Sequence, residues 1–521
     1  MFYKTSLMVS AAALMVGVAG VANAADTDVQ GKQIEELRNT VQTQQKQIDD
    51  LINLLKGVQE KQATAPTAAT PGAAAPNTAA VTVPNPLPPP GVPAYFSDAG
   101  SFMIPGTKTM LKVGGFAKFD MSYDFGAGMG AAGAQSLGVN SAALATGKTG
   151  FALPGTQAAH QIGRFQENAR TSRFIMQSAT PTELGALKFY LEADFQGGGT
   201  GNTAASNSAP LRFRQGYGTL GGWTFGETYT LWTDRATLPG SLDLNAGAGI
   251  EGGIRTPVVQ YRWDIDKAQK NQLYFALENP FNDYLSADTE TFTTAATPQP
   301  TNNTTKLPDF TVKYANNSSL GRLFVTGLIR DLEAYDAGSI NTAYALGNKK
   351  ISVHDNTVGW GVNMGGKIYT GLGNPLNSVT LRVSGGEGIG RYWNAAGGYS
   401  AVIDNNGHLK TVPIAGYNVS YQHWFSNQWQ SNVIWGQQHA WNPNALIGPV
   451  NTQGLQKNLS EFELNLVWFP YPWIQMGPAY FHATTDVVAP YSLTGVPGTT
   501  RTTSGTSASN DRIQFTTQVG F

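Results

Sequence analysis

Cysteine is absent from the 521 residues. That excludes a disulfide framework, so a chain of this length destined for an oxidising compartment must be held by something else, such as a continuous ladder of strands. Long apolar runs are missing too: past the first segment no stretch of about eighteen consecutive apolar residues occurs, which leaves no helix to span a membrane. Net charge is nearly absent, a formal -1, which argues against nucleic acid as a partner. The six histidines, His160, His354, His408, His423, His439 and His482, are scattered with no spacing suited to a metal or a triad. No Gly-rich phosphate loop stands between a strand and a helix. No enzyme, metal site or cofactor is therefore expected. A repeat period is also lacking, which argues against a soluble propeller or β-helix.

What is present divides into four zones. Residues 1–24 carry Lys4, the apolar run Leu7 to Val21 and then Ala22-Asn23-Ala24, the charge, core and small-x-small order of a cleavable signal peptide. Within residues 25–61, Ile34, Leu37, Val41, Gln44, Ile48, Leu51, Leu55 and Val58 fall on alternating steps of three and four. These are heptad core positions of a short coiled coil, and its mixed β-branched pattern permits a dimer or a trimer. Residues 62–99 are rich in Ala, Pro and Thr and read as a partly extended linker. Residues 100–521 are dominated by period-two alternation.

That alternation predicts an all-β fold, a transmembrane antiparallel β-barrel of about sixteen strands. In Met110 to Asp124, Leu111, Val113, Ala117, Phe119, Met121 and Tyr123 alternate with Lys112, Lys118, Asp120 and Asp124. The pattern recurs as Leu187, Phe189 and Leu191 against Lys188, Glu192 and Asp194, as Leu211, Phe213 and Tyr217 against Arg212 and Arg214, and as Phe462, Leu464 and Trp468 against Glu461 and Glu463. The final segment, Asp511 to Phe521, alternates and ends on an aromatic ring, as outer-membrane barrels do. Connections alternate short and long. Gly221 to Gly222 and Asp266 to Gln269 are short, whereas Leu231 to Gly253, Asp331 to Asn356 and Ile389 to Lys410 are long. Short periplasmic turns opposed to long external loops are expected of an outer-membrane barrel. Trp223, Trp232, Trp263, Trp360, Trp424, Trp429, Trp468, Tyr471 and Trp473 gather near strand ends and suit interfacial girdles.

A closed barrel of this width leaves a water-filled lumen. By strand parity Lys112, Lys118, Arg173, Lys188, Arg212, Arg214, Arg262, Lys313, Arg382 and Arg512 point inward, against Asp120, Asp124, Glu192, Asp194, Glu461 and Glu463. Arginine matches carboxylates bidentately and stays charged, so Arg173, Arg212, Arg214, Arg262 and Arg382 with Lys112 and Lys118 form a candidate path for small anions. The third long loop, with Asp234, Arg235, Asp243 and Glu251 and five glycines, is the candidate constriction. The same arginines have a plainer use, holding that loop to the wall by pairing with its carboxylates.

Gly100-Ser101-Phe102-Met103-Ile104-Pro105-Gly106-Thr107, leading into Leu111-Lys112-Val113-Gly114-Gly115-Phe116-Ala117-Lys118-Phe119-Asp120, resembles the start of the DcaP-like porins of Gram-negative bacteria. Ala169-Arg170-Thr171-Ser172-Arg173-Phe174, Arg214-Gln215-Gly216-Tyr217-Gly218, Trp223-Thr224-Phe225-Gly226-Glu227 and Ile254-Arg255-Thr256-Pro257 extend the similarity over the first half of the barrel. The resemblance implies an outer-membrane homotrimer, joined through barrel and periplasmic coiled coil, that passes negatively charged organic solutes such as dicarboxylates. The glycine-rich Asn245 to Glu251 departs from that pattern. Two other functions fit the residues: a sugar-specific or general porin, for which the inward aromatics Phe116, Tyr190, Tyr274 and Trp424 are dispersed, and an envelope tether that reaches the periplasm or the peptidoglycan through the coiled coil.

Overall fold

In the computed structural model, sixteen antiparallel strands close into one barrel. The structure describes residues 101–126, 162–197, 209–244, 253–281, 305–341, 350–393, 408–442, 456–488 and 505–521, with short pieces of the intervening loops. The signal peptide, coiled coil and linker predicted for residues 1–99 lie outside the described residues. No helix among the described residues is long and apolar enough to cross a membrane.

In chain order the strands begin with β1 (Met110–Asp124), β2 (Arg164–Asn168 continued by Arg173–Thr182), β3 (Gly185–Asp194), β4 (Arg212–Leu220) and β5 (Trp223–Tyr229). Then follow β6 (Arg255–Asp264), β7 (Asn271–Glu278), β8 (Asp309–Ser318), β9 (Gly321–Asn341), β10 (Lys350–Tyr369) and β11 (Ser378–Glu387). The last five are β12 (Pro413–Trp424), β13 (Trp429–Ala440), β14 (Gln456–Tyr471), β15 (Ile474–Val487) and β16 (Ser507–Gly520). Each pairs with its sequence neighbours, and β1 pairs with both β2 and β16. At this seam Phe116 to Asp124 lies against Gly520 to Arg512, and the backbone N–H groups of Gly115 and Phe521 each donate to the other's carbonyl at 3.2 and 3.1 Å. Gly115 is needed there: its φ is +155°, and a Cβ would sit 2.1 Å from the Arg173 carbonyl oxygen. Closure leaves no open sheet edge in lipid, the condition on which a barrel spans a bilayer.

The two faces obey the alternation. Val113, Phe119, Tyr123, Leu381, Val383, Leu464, Ile513 and Phe515 are exposed outward to lipid, while their neighbours Lys118, Asp120, Arg382, Glu463, Arg512 and Gln514 are buried inside. Three expectations need correction. Tyr217 faces inward, stacked on Tyr190 at 5.2 Å, because a register shift between Glu192 and Ala193 leaves Arg214 as an extra residue of β4 and reverses the parity beyond it. Trp232 and Trp424 belong to the lumen and not to a girdle; both are buried in apolar clusters. Most of Asp331 to Asn356 is strand: β9 and β10 stay paired up to Asn341 and Lys350.

The lumen is partly filled from the loop side. The loop between β11 and β12 (loop 6) folds inward through Gly390–Tyr392, and its strand Ala401–Ile403 pairs with Leu409–Thr411 and, in parallel, with Tyr284–Leu285 of the loop after β7. Ile389, Tyr392, Trp393 and Val402 pack with Trp232 in one cluster. Across the barrel, Met129 and Leu242 rest on Leu459, Val467, Phe469, Ala479 and Phe481 of β14 and β15.

Candidate functional site: the inward loop and its arginines

The loop between β5 and β6 (loop 3) crosses the lumen. It leaves β5 with the Leu231 N–H donating to Glu278 Oε1 at 2.8 Å, and the Trp232 carbonyl accepts from Asn363 Nδ2 at 2.6 Å. Asp234 follows, at the N-cap position of the single turn Arg235–Thr237. Its carboxylate accepts from Arg322 Nε and Nη2, the latter at 2.7 Å, and stands 3.4 Å from Lys313 Nζ. Burial alone would raise this carboxyl; the charges of Lys313 and Arg322 and the Arg322 hydrogen bonds outweigh it and hold Asp234 well below the ordinary carboxylate range. On the far wall the Gly240 carbonyl accepts from Asn465, the Leu242 N–H donates to Glu463 at 3.1 Å, and the Leu242 carbonyl accepts from Lys118 Nζ at 3.3 Å. Gly240 permits this approach, since a Cβ would meet the Asn432 and Gln430 side chains at 2.8 and 2.9 Å. Loop 3 is thus tied to β7, β8, β9 and β10 at one end and to β14 and β1 at the other.

Where loop 3 departs, arginines gather. Arg212 holds Asp194 bidentately through Nε at 2.9 Å and Nη2 at 2.7 Å. Arg214 bridges Glu192 and Asp194, and Arg173 reaches Glu192 at 3.3 Å. The Arg235 guanidinium lies 3.7 Å from the centre of the Tyr229 ring, Arg255 lies 5.8 Å from it, and Arg214 Nη2 donates to the Tyr229 hydroxyl. Five guanidiniums therefore surround two carboxylates and one phenol. The Tyr190 hydroxyl adds a 2.7 Å bond to Glu192.

The other sequence-derived candidates are spread round the wall. Lys118 pairs with Asp120 at 2.7 Å as well as reaching loop 3. Arg262 pairs with Asp264 at 3.2 Å. Arg382 is buried beside the Phe324 ring. Lys112 sits half-buried near the start of β1. Asp243 is buried in loop 3, and Glu251 lies outside the described residues. Arg322, Arg330, Arg391 and Arg255 were not among the candidates, although Arg322, Phe324, Thr326, Leu328 and Arg330 form a period-two inward row that the sequence carries. Arg330 and Arg391 lie by Asp309, whose carboxylate and that of Glu278 both meet the Tyr392 hydroxyl, at 2.8 and 2.9 Å. Among the described residues no group of three His, Asp or Glu side chains could hold a metal ion.

A profile described as the porin subfamily matches residues 93–409. The chain belongs to that porin subfamily. This places it among outer-membrane β-barrel channels. The porin's fold is similar to that of the outer membrane channel DcaP of Acinetobacter baumannii, at a TM-score of 0.58 and 17% identity over 81% of this chain and 100% of that one. Weaker likenesses are to the anion-selective porin from Comamonas acidovorans (TM-score 0.46, 9% identity, 79% of this chain and 100% of that one) and to OmpT of Vibrio cholerae (TM-score 0.45, 9% identity, 81% and 100%). No curated protein sequence matches the chain.

Proposed function

We propose that this porin is a passive diffusion channel for small hydrophilic solutes with a preference for organic anions such as dicarboxylates, working as a homotrimer with residues 25–61 forming a periplasmic coiled coil. The observation that carries the reading is the charge imbalance beside loop 3: Arg173, Arg212, Arg214, Arg235 and Arg255 around Glu192 and Asp194. Three positive charges in excess, in a lumen narrowed by loop 3 and loop 6, lower the barrier for an anion and raise it for a cation. The carboxylates keep their arginines oriented, so a passing carboxylate meets fixed donors instead of mobile side chains.

One observation favours the plainer reading for part of the set. Lys313 and Arg322 are engaged with Asp234 and serve first to hold loop 3. Selectivity is therefore assigned to the cluster round Tyr229, and tethering to Asp234. The test is flux into liposomes containing the purified porin, comparing a dicarboxylate with a neutral polyol and an organic cation of equal size. Faster entry of the dicarboxylate supports the reading. Equal rates, or a faster cation, would leave a general pore.

A further inference from the structure

The turn end of β3 to β8 encloses a cavity of about 290 Å³ that reaches from the turn residues Gly185, Gly221 and Gln269 up to Leu231, where loop 3 begins. None of the five clustered arginines lines it, and three other cations do: Lys188, Arg262 and Lys313. No carboxylate lines it.

Strand register explains how it is built. Lys188, Thr219, Thr224 and Gln260 are successive cross-strand partners on β3, β4, β5 and β6, so they form one continuous polar row. One inward step nearer the turns, Arg262, Tyr274 and Lys313 form a second row on β6, β7 and β8, with Lys313 Nζ 5.1 Å from the Tyr274 ring centre. Hydroxyl and amide donors thus lie between a lysine at one end and a lysine and an arginine at the other. Strands are spaced about 4.8 Å apart, so β3 and β6 are separated by roughly 14 Å along the wall, a gap that long side chains leaning inward narrow.

The charges do not cancel. Lys188 makes no ion pair among the described residues. Arg262 is matched by Asp264. Lys313 shares the single carboxylate of Asp234 with Arg322, which holds it more closely, at 2.7 Å against 3.4 Å. Four cations stand against two carboxylates, an excess of two.

We propose that this cavity is a holding site of its own for a small organic dianion, on the turn side of loop 3, where a solute pauses between the constriction and the periplasm. The site rests on the anion-preferring reading above. It makes the two mouths of the channel unequal, since the second station sits at the turn-side mouth.

The experiment is single-channel block by glutarate, with the monoanion butyrate as control, added to one side at a time. Leu372→Cys in a turn of this cysteine-free chain, labelled from one side, reports orientation. Glutarate is expected to block from the turn side at about tenfold lower concentration than from the loop side, as one added charge-assisted contact gives. Lys188→Gln should remove that advantage and Lys188→Arg should keep it, both with the reversal potential still that of an anion-selective channel, and Arg262→Gln should weaken it. Block that is equal from both sides and unchanged in Lys188→Gln would overturn the holding site while leaving anion preference standing. A cation-selective wild-type channel would overturn both.

Discussion

Asp234→Asn separates tethering from selectivity, because it removes a loop carboxylate that two wall cations share. The Asp234 side chain is 2% exposed, as is that of Lys313, and Arg322 is 17% exposed. Removing one partner of a buried ion pair costs about 3–5 kcal/mol; with Arg322 partly wetted by the lumen we expect the lower end, about 3 kcal/mol. At about 1.4 kcal/mol per factor of ten, local release of the near end of loop 3 becomes roughly 100-fold more frequent. The far end keeps its bonds to Asn465, Glu463 and Lys118. Amide exchange should therefore speed up by about that factor for Leu231 and Thr237, and change little for Leu242 or the strands. Open-channel current noise should rise, and anion preference should persist, since a negative charge has left the lumen. Acid should act through the same carboxyl. Its folded titration range is depressed below the unfolded value of about 4, so the tether's contribution is complete above that pH and fades only as pH falls further. Uniform exchange across loop 3 in Asp234→Asn, or loosening already between pH 5 and 7, would refute the assignment.

Other outcomes follow from the same geometry. Arg214→Gln removes one guanidinium while leaving Arg173 on Glu192 and Arg212 on Asp194; a single charge about 6 Å from the path in water is worth roughly 0.7 kcal/mol to an anion and the opposite to a cation, so the anion-to-cation permeability ratio should fall about tenfold. Trp232→Ala empties the contact between loop 3 and loop 6. It should cost about 3–5 kcal/mol locally and raise conductance, with the barrel's melting little changed. Gly477→Val should prevent refolding in detergent, because its Cβ would stand 1.9 Å from the Leu466 carbonyl oxygen and part β14 from β15; gel mobility of the heated and unheated protein reads this directly. Deleting residues 25–61 should leave current per pore unaltered, whereas a mechanical envelope defect with normal flux would favour a tether.

The sequence carried the barrel because lipid and water impose opposite demands on alternate residues. The bounds of β1 were legible from Leu111 to Asp124 for that reason. Where the outer face leaves lipid the demand lapses, so the paired ends of β9 and β10 look like loop from composition alone. Tyr217 was misplaced because one extra residue at Arg214 reverses parity, and a bulge has no fixed sequence mark. Loop 3 declared itself through length, glycines and charge. Its partner did not: Arg322 stands 88 positions from Asp234, and only the curvature of the wall brings them together. The folding of loop 6 onto Trp232 depends on tertiary packing of Tyr392 and Trp393 that no local period reports.

The most direct test of anion preference is the reversal potential of the purified porin across a planar bilayer in a salt gradient, compared with that of the double variant Arg212→Gln, Arg214→Gln. The arginine cluster predicts an anion-selective potential in the wild type that moves toward zero in the variant. A cation-selective or unselective wild type, or a variant indistinguishable from it, would contradict the account.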